Sequence, residues 1–465
     1  FLNPKGMETE KDIINTQKNV IIIGAGVAGL AAARILTLSN KKDISISILE
    51  ARDRIGGRVF PKLISLTNCD LGASWIYRKS ENPLLRTFTG SLRMVPDITN
   101  TFIPIDRYSN VAVYDVETKT RISNDVLTKY DELFNSVLVD PASDECKNLK
   151  EKLDSNLTNT VFNILYRRLL EFNSSRLEAW TGLPTESTGN VIECDKDLFE
   201  EDYVPNNSYV SALSEFAQPV IPFISFNTEV TSIHSNNESE HKVSISTIDN
   251  QHYKADAVIV TVPLGVLKSQ SISFHPELSA EKLSAIDHLG MGLLNKVYLF
   301  FSCEEPFWPK ELDIIGVALS PGEYKENCNM YLSLYNTNPG VVALCAMLSG
   351  DFAEISESMD DEALMLRVMT PLLSLFPQTC PNRPDSFYRT AWRSDKFARG
   401  SYSALQCQSK LEDRVALAQP HDEVVFFAGE ACSLDHPSCV NGAAINGEQV
   451  AAMVLALLDK SNQET

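Results

Sequence analysis

The 465 residues carry 44% hydrophobic and 22% charged side chains, the make-up of a globular protein with material for two or three domains rather than of a disordered chain. Against 61 acidic residues stand 41 basic ones, and the net charge of −20 argues against nucleic acid or an anionic membrane as a partner. Ten cysteines without CxxC or other metal-ligand spacing read as reduced thiols and argue against a metal centre; the most apolar stretch, 20–36, contains a glycine turn and Arg34 and falls short of a membrane span, so a cytoplasmic protein is expected.

Residues 20–23 form a short β-branched run that leads straight into Gly24-Ala25-Gly26-Val27-Ala28-Gly29, which predicts a buried strand, a tight turn and a helix. In such a turn Gly24 permits the bend, Gly26 lets backbone approach a pyrophosphate and Gly29 lets helix pack on strand, with the phosphates at the helix N-terminus. A second alternating strand, 44–49, ends at Glu50, where this pattern sets an acid on ribose hydroxyls. Arg52, Arg54 and Arg58 follow with Gly56 and Gly57. Arginine forks suit a second stretch of phosphate and sugar, which a nicotinamide dinucleotide unit does not need, so FAD is the better reading.

Residues 19–59 taken together resemble the flavin-containing amine oxidase family, which includes monoamine oxidases, polyamine oxidases and lysine-specific histone demethylases. Next, Asp70-Leu71-Gly72-Ala73-Ser74-Trp75-Ile76-Tyr77 makes a loop able to lie flat on a ring system. The resemblance implies that Gly72, Ala73, Ser74 and Trp75 lie along the flavin. Residues 91–217 carry the weakest signals: 125–139 and 151–172 have helical spacing, 181–190 reads as a loop, and a mostly helical insertion is expected. Alternation returns at 228–233 and 242–248 as a hairpin, and 255–263 is a near-continuous apolar strand ended by Pro263. The resemblance implies that Val230 meets the adenine through its backbone.

A second excursion begins near 276 with a capping Ser279 and reaches Gly290-Met291-Gly292-Leu293-Leu294-Asn295-Lys296-Val297-Tyr298, where Lys296 interrupts an apolar strand. By itself that lysine reads as an exposed face. The resemblance reverses this, implying a lysine linked through water to flavin N5, with Leu294 beside it in the substrate pocket. The run 390–403 is again similar to the family, which implies Trp392 and Tyr402 near flavin and amine. Near the end, strand 424–428 runs into Glu430, and 439–444 opens a helix rich in small residues. The resemblance implies Glu430 on a cofactor hydroxyl and Val440 backbone facing the flavin, where a helix N-terminus stabilises the anionic reduced form.

The implied fold is α/β: a Rossmann-type FAD-binding domain of the amine oxidase fold (18–90, 218–275 and 401–465) with an interleaved α+β substrate domain (91–217 and 276–400). Ser401, not cysteine, precedes Tyr402, which implies FAD held non-covalently. Cys439 stands where monoamine oxidases have the second tyrosine of an aromatic cage. The histone demethylases carry a long helical insertion and a reader domain before the flavin fold; neither is expected here, and a fungal-type polyamine (spermine) oxidase is the pattern that the resemblance leaves. The departure is Tyr77, where polyamine oxidases usually place a histidine in this part of the loop. Asn207 is a further candidate substrate contact, weighed against a turn asparagine. The implied reaction is oxidation of a secondary amine by hydride transfer to flavin N5, imine hydrolysis to aldehyde and amine, and reoxidation by O2 with peroxide formation; a polycationic substrate suits the negative charge. The alternative is a flavoprotein that binds a steroid-like or other apolar ligand without oxidising amines.

Overall fold

The computed structural model describes residues 17–39, 41, 43–77, 79–95, 109–138, 148–157, 164–189, 203–206, 208–236, 239 and 241–463. Its first layer is a parallel five-stranded sheet in the order Val425–Phe427, Ala257–Val260, Lys18–Ile23, Ile44–Leu49, Ile224–Ser225. Three separated parts of the chain supply it. Strands buried on both faces need continuous apolar sequence, and Val20 to Ile23 and Ala257 to Val260 provide it. Alternate side chains divide between the faces. Val20, Ile22, Ile48 and Ile259 pack under the helices Val27–Leu38 and Val440–Gln463, while Ile21, Ile23, Leu49 and Val258 pack on a second, four-stranded sheet. That sheet runs His252–Ala255, Val243–Thr247, Val230–Ser235, Ser273–His275 and contains the predicted hairpin.

The other half is a seven-stranded sheet in the order Ser386–Arg389, Asn295–Phe300, Ala343–Leu348, Met330–Ser333, Ile314–Ala318, Val111–Asp115, Thr120–Arg121. All neighbours are antiparallel except Ile314–Ala318 and Val111–Asp115. The first excursion is therefore helical only in part. Its pair of strands completes a sheet begun by the second excursion, and the partner of Val111–Asp115 lies some two hundred residues away, beyond the reach of local periodicity. The predicted helix at 125–139 is Asn124–Leu138; over the one at 151–172 the described residues are helical in Leu149–Leu157 and Ile164–Thr181. The aromatic pair Phe307 and Trp308 is core, stacked edge to face at 4.8 Å.

Packing crosses two of the boundaries drawn from sequence. Tyr209, Leu213 and Phe216 join the core beneath the dinucleotide sheet, and Leu278, Ala285, Ile286 and Met291 join the core on its opposite face. By contact, residues 209–220 and 278–291 go with the first layer, because the apolar faces of Val210–Ala217 and Ala280–His288 are buried there. Among the described residues no helix is long and apolar enough to cross a membrane.

The two helices on the dinucleotide sheet cross at a glycine: a Cβ on Gly447 would lie 2.2 Å from the Ala28 carbonyl oxygen, a backbone atom that cannot swing away. Gly447→Ala is expected to lower stability by about 1–3 kcal/mol, the usual cost of overpacking, read as a lower midpoint in chemical denaturation. An unchanged midpoint would show that the helices can part without cost.

Candidate active site

The turn after Lys18–Ile23 is made by Gly24, φ +105°, whose N–H donates to the Leu49 carbonyl at 2.8 Å. A Cβ on Gly29 would sit 2.0 Å from the Gly24 oxygen, so turn and helix touch only because glycine is there. The helix Val27–Leu38 begins at Gly26 with no side-chain cap, and its first N–H groups are left for a ligand. Gly56 N–H donates to the Ala25 carbonyl at 2.8 Å, and a Cβ on Gly57 would meet Gly26 Cα at 3.4 Å, so the two glycine segments cross in contact. Ala28 lines the same groove.

Glu50 stands at the mouth of that crossing. Its buried carboxylate accepts from Ala25 N–H at 2.6 Å and Arg52 N–H at 2.8 Å; burial raises its pKa, and these bonds and the neighbouring arginines oppose the rise. The arginines meet protein acceptors. Arg52 lines the cavity with its fork bidentate on Asp395 at 2.7 and 2.9 Å. Arg54 turns to the carbonyls of Ile55 and Gly57 and lies over the Phe60 ring at 3.5 Å, where burial lowers its pKa to about 10. Arg58 reaches Glu430 at 2.8 Å and the Ser401 carbonyl at 3.0 Å. Val230 lines the far end of the cavity beside Glu229, which is paired with Lys396 at 2.8 Å.

The loop 70–74 is stitched to the seven-stranded sheet. Lys296, 4% exposed, donates to the carbonyls of Asp70 at 2.9 Å and Gly72 at 2.6 Å and to Ser74 Oγ at 2.5 Å. Tyr298, two residues along the strand and so on the same face, donates to the Asp70 carbonyl at 2.6 Å. Trp392 Nε1 donates to the Leu71 carbonyl at 3.0 Å. Ala73 N–H closes back on the Arg58 carbonyl at 3.2 Å, and a Cβ on Gly72 would strike that same oxygen at 1.7 Å. Trp75 follows with its indole N–H on the Val95 carbonyl at 3.3 Å.

Glu430, 4% exposed, joins four segments. It accepts from Arg58, from Ser403 N–H and Oγ–H, and from Ser438 N–H at 3.0 Å, while Arg414, fully buried, donates to Ser403 Oγ at 2.8 Å. Burial would raise its pKa, but Arg58, Arg414 and the Ser403 hydroxyl win and hold it below the ordinary carboxylate value. The helix Val440–Gln463 starts on this wall, with Val440 and Cys439 both lining the cavity.

Beyond the stitched loop the cavity widens into a recess bounded by Tyr77, Trp180, Trp392 and Tyr402, with Leu294, Met347 and Cys439 among its apolar walls. Tyr77 meets Trp180 edge to face at 6.4 Å. The Tyr402 hydroxyl donates to the Ala179 carbonyl, and Ser401 Oγ sits between Leu294 N–H and its carbonyl, each at 2.9 Å. Asn207 lies outside the described residues. Trp180 and Tyr298 are site residues that sequence reasoning missed. The helical pattern breaks for sequence inspection at Asn173-Ser174-Ser175, yet the helix continues to Thr181 because Asn173 and Ser175 bury their polar groups on Asp131 and Asn329. The i, i+2 relation of Lys296 and Tyr298 was the signal available for the second.

The residues present fit a dinucleotide. A Cβ placed on Gly26 or Gly429 would meet nothing within 4 Å, so both face open space. The side-chain oxygen of Asn441, a residue 2% exposed and lining the cavity, has no hydrogen-bond partner among the described residues. Among those residues there is no group of metal-ligating side chains, and the eight described cysteines are free.

Residues 27–455 match the model of the flavin containing amine oxidoreductase family. Similar proteins include polyamine oxidase 4 of Oryza sativa subsp. japonica, 29% identical with 92% of this chain and 87% of the relative covered. A probable polyamine oxidase 4 of Arabidopsis thaliana is 31% identical, covering 93% and 86%. The lysine-specific histone demethylase 1 homolog 1 of Arabidopsis thaliana is also 31% identical, over 94% of this chain but 52% of its own length. Among solved structures, a wild-type putrescine oxidase bound to putrescine superposes with a TM-score of 0.74 at 19% identity, covering 95% of this chain and 99% of that one; it shares the fold.

Glu430→Gln leaves Arg58 and Arg414 short of their counter-charge and is expected to cost about 3 kcal/mol at neutral pH, as for breaking a buried pair. Because the folded-state pKa of Glu430 is depressed, its contribution is present above the unfolded carboxylate value of about 4.3 and is lost as pH falls below it. Denaturation of wild type and variant at stepped pH should show a gap that closes on acidification. A gap constant with pH would remove the charge from the account.

Proposed function

The chain belongs to the flavin-containing amine oxidoreductase family and is an FAD-dependent amine oxidase, and from that premise we propose that it oxidises a secondary amine of a spermine-like polyamine. The observation that carries the reading is the continuity of one cavity from the glycine crossing at Gly26 to the aromatic recess of Tyr77, Trp180, Trp392 and Tyr402. FAD, when bound, supplies the two-electron oxidation of the amine carbon–nitrogen bond, with O2 as the final acceptor and peroxide as its product.

The protein's part is to hold and to orient. Gly24, Gly26, Ala28 and Gly29 with the helix start at Val27 would receive the pyrophosphate, and Glu50 the ribose. Arg52, Gly57, Arg58 and Val230 complete the nucleotide wall in this reading, and Gly72, Ala73, Ser74 and Trp75 the wall along the ring system. Glu430 and the helix that begins at Val440 close the opposite side. Aromatic faces attract an amine whether it is charged or newly neutral, which suits Trp392 and Tyr402 to the reacting nitrogen and Tyr77 to the remainder of the chain, with Leu294 and Cys439 as apolar sides. Lys296 is assigned the water at the reacting end, its ammonium anchored meanwhile on Gly72 and Ser74. The amine must reach the recess without its proton to be oxidised. Water then adds to the imine carbon, and the carbon–nitrogen bond breaks to aldehyde and shortened amine. The surplus of 20 negative charges favours approach of a polycation. Two polyamine oxidases among the similar proteins support the same substrate class.

The purified protein, in anaerobic buffer, is expected to show a flavin absorption band that bleaches on adding spermine and returns, with one peroxide per flavin, on admitting air. A band untouched by spermine and other amines would end the polyamine reading and favour a ligand-binding flavoprotein. Acid precipitation should leave the flavin in the supernatant, since Ser401 offers no thiol for attachment. Flavin in the pellet would contradict this.

A further inference from the structure

The helix Ile164–Thr181 delivers Ala179 and Trp180 to the recess and stops at Gly182, φ +72°. A Cβ on Gly182 would lie 2.9 Å from the Tyr402 ring and 2.9 Å from Gly292 Cα, and the Gly182 carbonyl accepts from Leu293 N–H at 2.6 Å. The helix end is thus pressed against the strand pair that carries Tyr402. Just inside it sits Glu178, 2% exposed, with no ion pair among the described residues. One carboxylate oxygen accepts from Thr185 N–H at 3.0 Å and from Thr185 Oγ–H at 3.3 Å. The other fills the space left at Gly350, φ +54°, where a Cβ would be 2.1 Å away. The nearest charges face it but are engaged elsewhere: Lys325 pairs with Glu186 at 2.8 Å and with Asp351 at 3.1 Å. Burying a carboxylate without a cation is costly, and an apolar side chain would fill the same space more cheaply.

We propose that Glu178 is a positioning residue for amine recognition: its carboxylate clasps Thr185, closes the turn 178–185, and so sets the Ala179 carbonyl that holds the Tyr402 hydroxyl and the Trp180 ring that meets Tyr77. The inference rests on the recess being the amine site. Burial pushes the Glu178 carboxyl up to about 7, with the Thr185 N–H and Lys325 pulling down and Glu186 and Asp351 pushing further up. Because the closed turn raises this carboxyl above its value in water, proton binding favours the closed turn, and the clasp loosens as pH rises through about 7.

The test compares wild-type holoenzyme with Glu178→Gln by amide hydrogen exchange and by steady-state kinetics with spermine. Corrected for the intrinsic rate, exchange across 182–188 should quicken about tenfold in wild type between pH about 6 and about 8 and stay flat in the variant, which cannot ionise. The ratio of wild-type to variant KM should rise several-fold over the same interval, with the ratio of kcat within about twofold. Both differences should shrink below pH about 6, where wild type has lost the same charge. In combination with Tyr402→Phe the KM effects should fall short of additive, since both act through the Ala179 contact. Should Glu178→Gln fail to fold, Thr185→Val removes one donor, keeps the carboxylate and should quicken exchange across 182–188 at every pH. Unchanged exchange, or a KM effect additive with Tyr402→Phe and flat in pH, would overturn the proposal. Exchange that follows this pattern with no turnover of spermine would uphold the clasp and remove the polyamine reading instead.

Discussion

A buried cation hydrogen-bonded to one loop joins the two halves of this molecule. Lys296 lies on the second strand of the seven-stranded sheet, and it donates to Asp70, Gly72 and Ser74, which belong to the segment after the dinucleotide unit. An ammonium withdrawn from water survives only where oxygens replace its hydration, so the strand and the loop must stay in one register. Tyr298 and Trp392 take the neighbouring carbonyls, and the loop is left with little freedom to leave the cavity wall. The alignment of the two sheets, and with it the shape of the cavity between them, follows from this set of bonds.

Glu430 performs the matching task on the opposite wall. It gathers Arg58 from the second glycine segment, 372 residues before it, Ser403 from the strand that begins at Tyr402 and Ser438 from the turn before the last helix. Here charge outweighs burial, whereas at Glu178 burial wins. The contrast has a plain cause: two guanidinium groups bear on Glu430, whereas Glu178 accepts from the hydroxyl and N–H of Thr185 and makes no ion pair among the described residues. A carboxylate near neutrality beside the recess and a carboxylate held ionised beside the dinucleotide groove divide the molecule into a wall that yields with pH and a wall that does not.

The glycine turn, its helix, the second strand with Glu50, the hairpin at 230–247 and the strand of Lys296 could all be read along the chain. Each is set by a short-range constraint: a residue without Cβ at a positive φ or a close crossing, or an apolar period of two. The first excursion could not be read in this way. Val111–Asp115 is a strand because Ile314–Ala318 lies beside it, and Trp180 reaches the recess because buried bonds from Asn173 and Ser175 carry the helix past a polar stretch.

By itself the sequence determined a glycine turn between a parallel strand and a helix, of the kind that receives a dinucleotide, and through its separated motifs which family the chain resembles, because steric demands at glycine and the pattern of apolar residues are local properties of the chain. Only the tertiary structure decided what those motifs meet. It turned Arg52 onto Asp395, 343 residues away, aimed Lys296 at the loop 70–74, and buried Glu178 beside Trp180 with no ion pair among the described residues. Those outcomes depend on strand register and helix packing between distant segments, where a shift of one residue would turn each side chain to the other face, and no local rule contains that information.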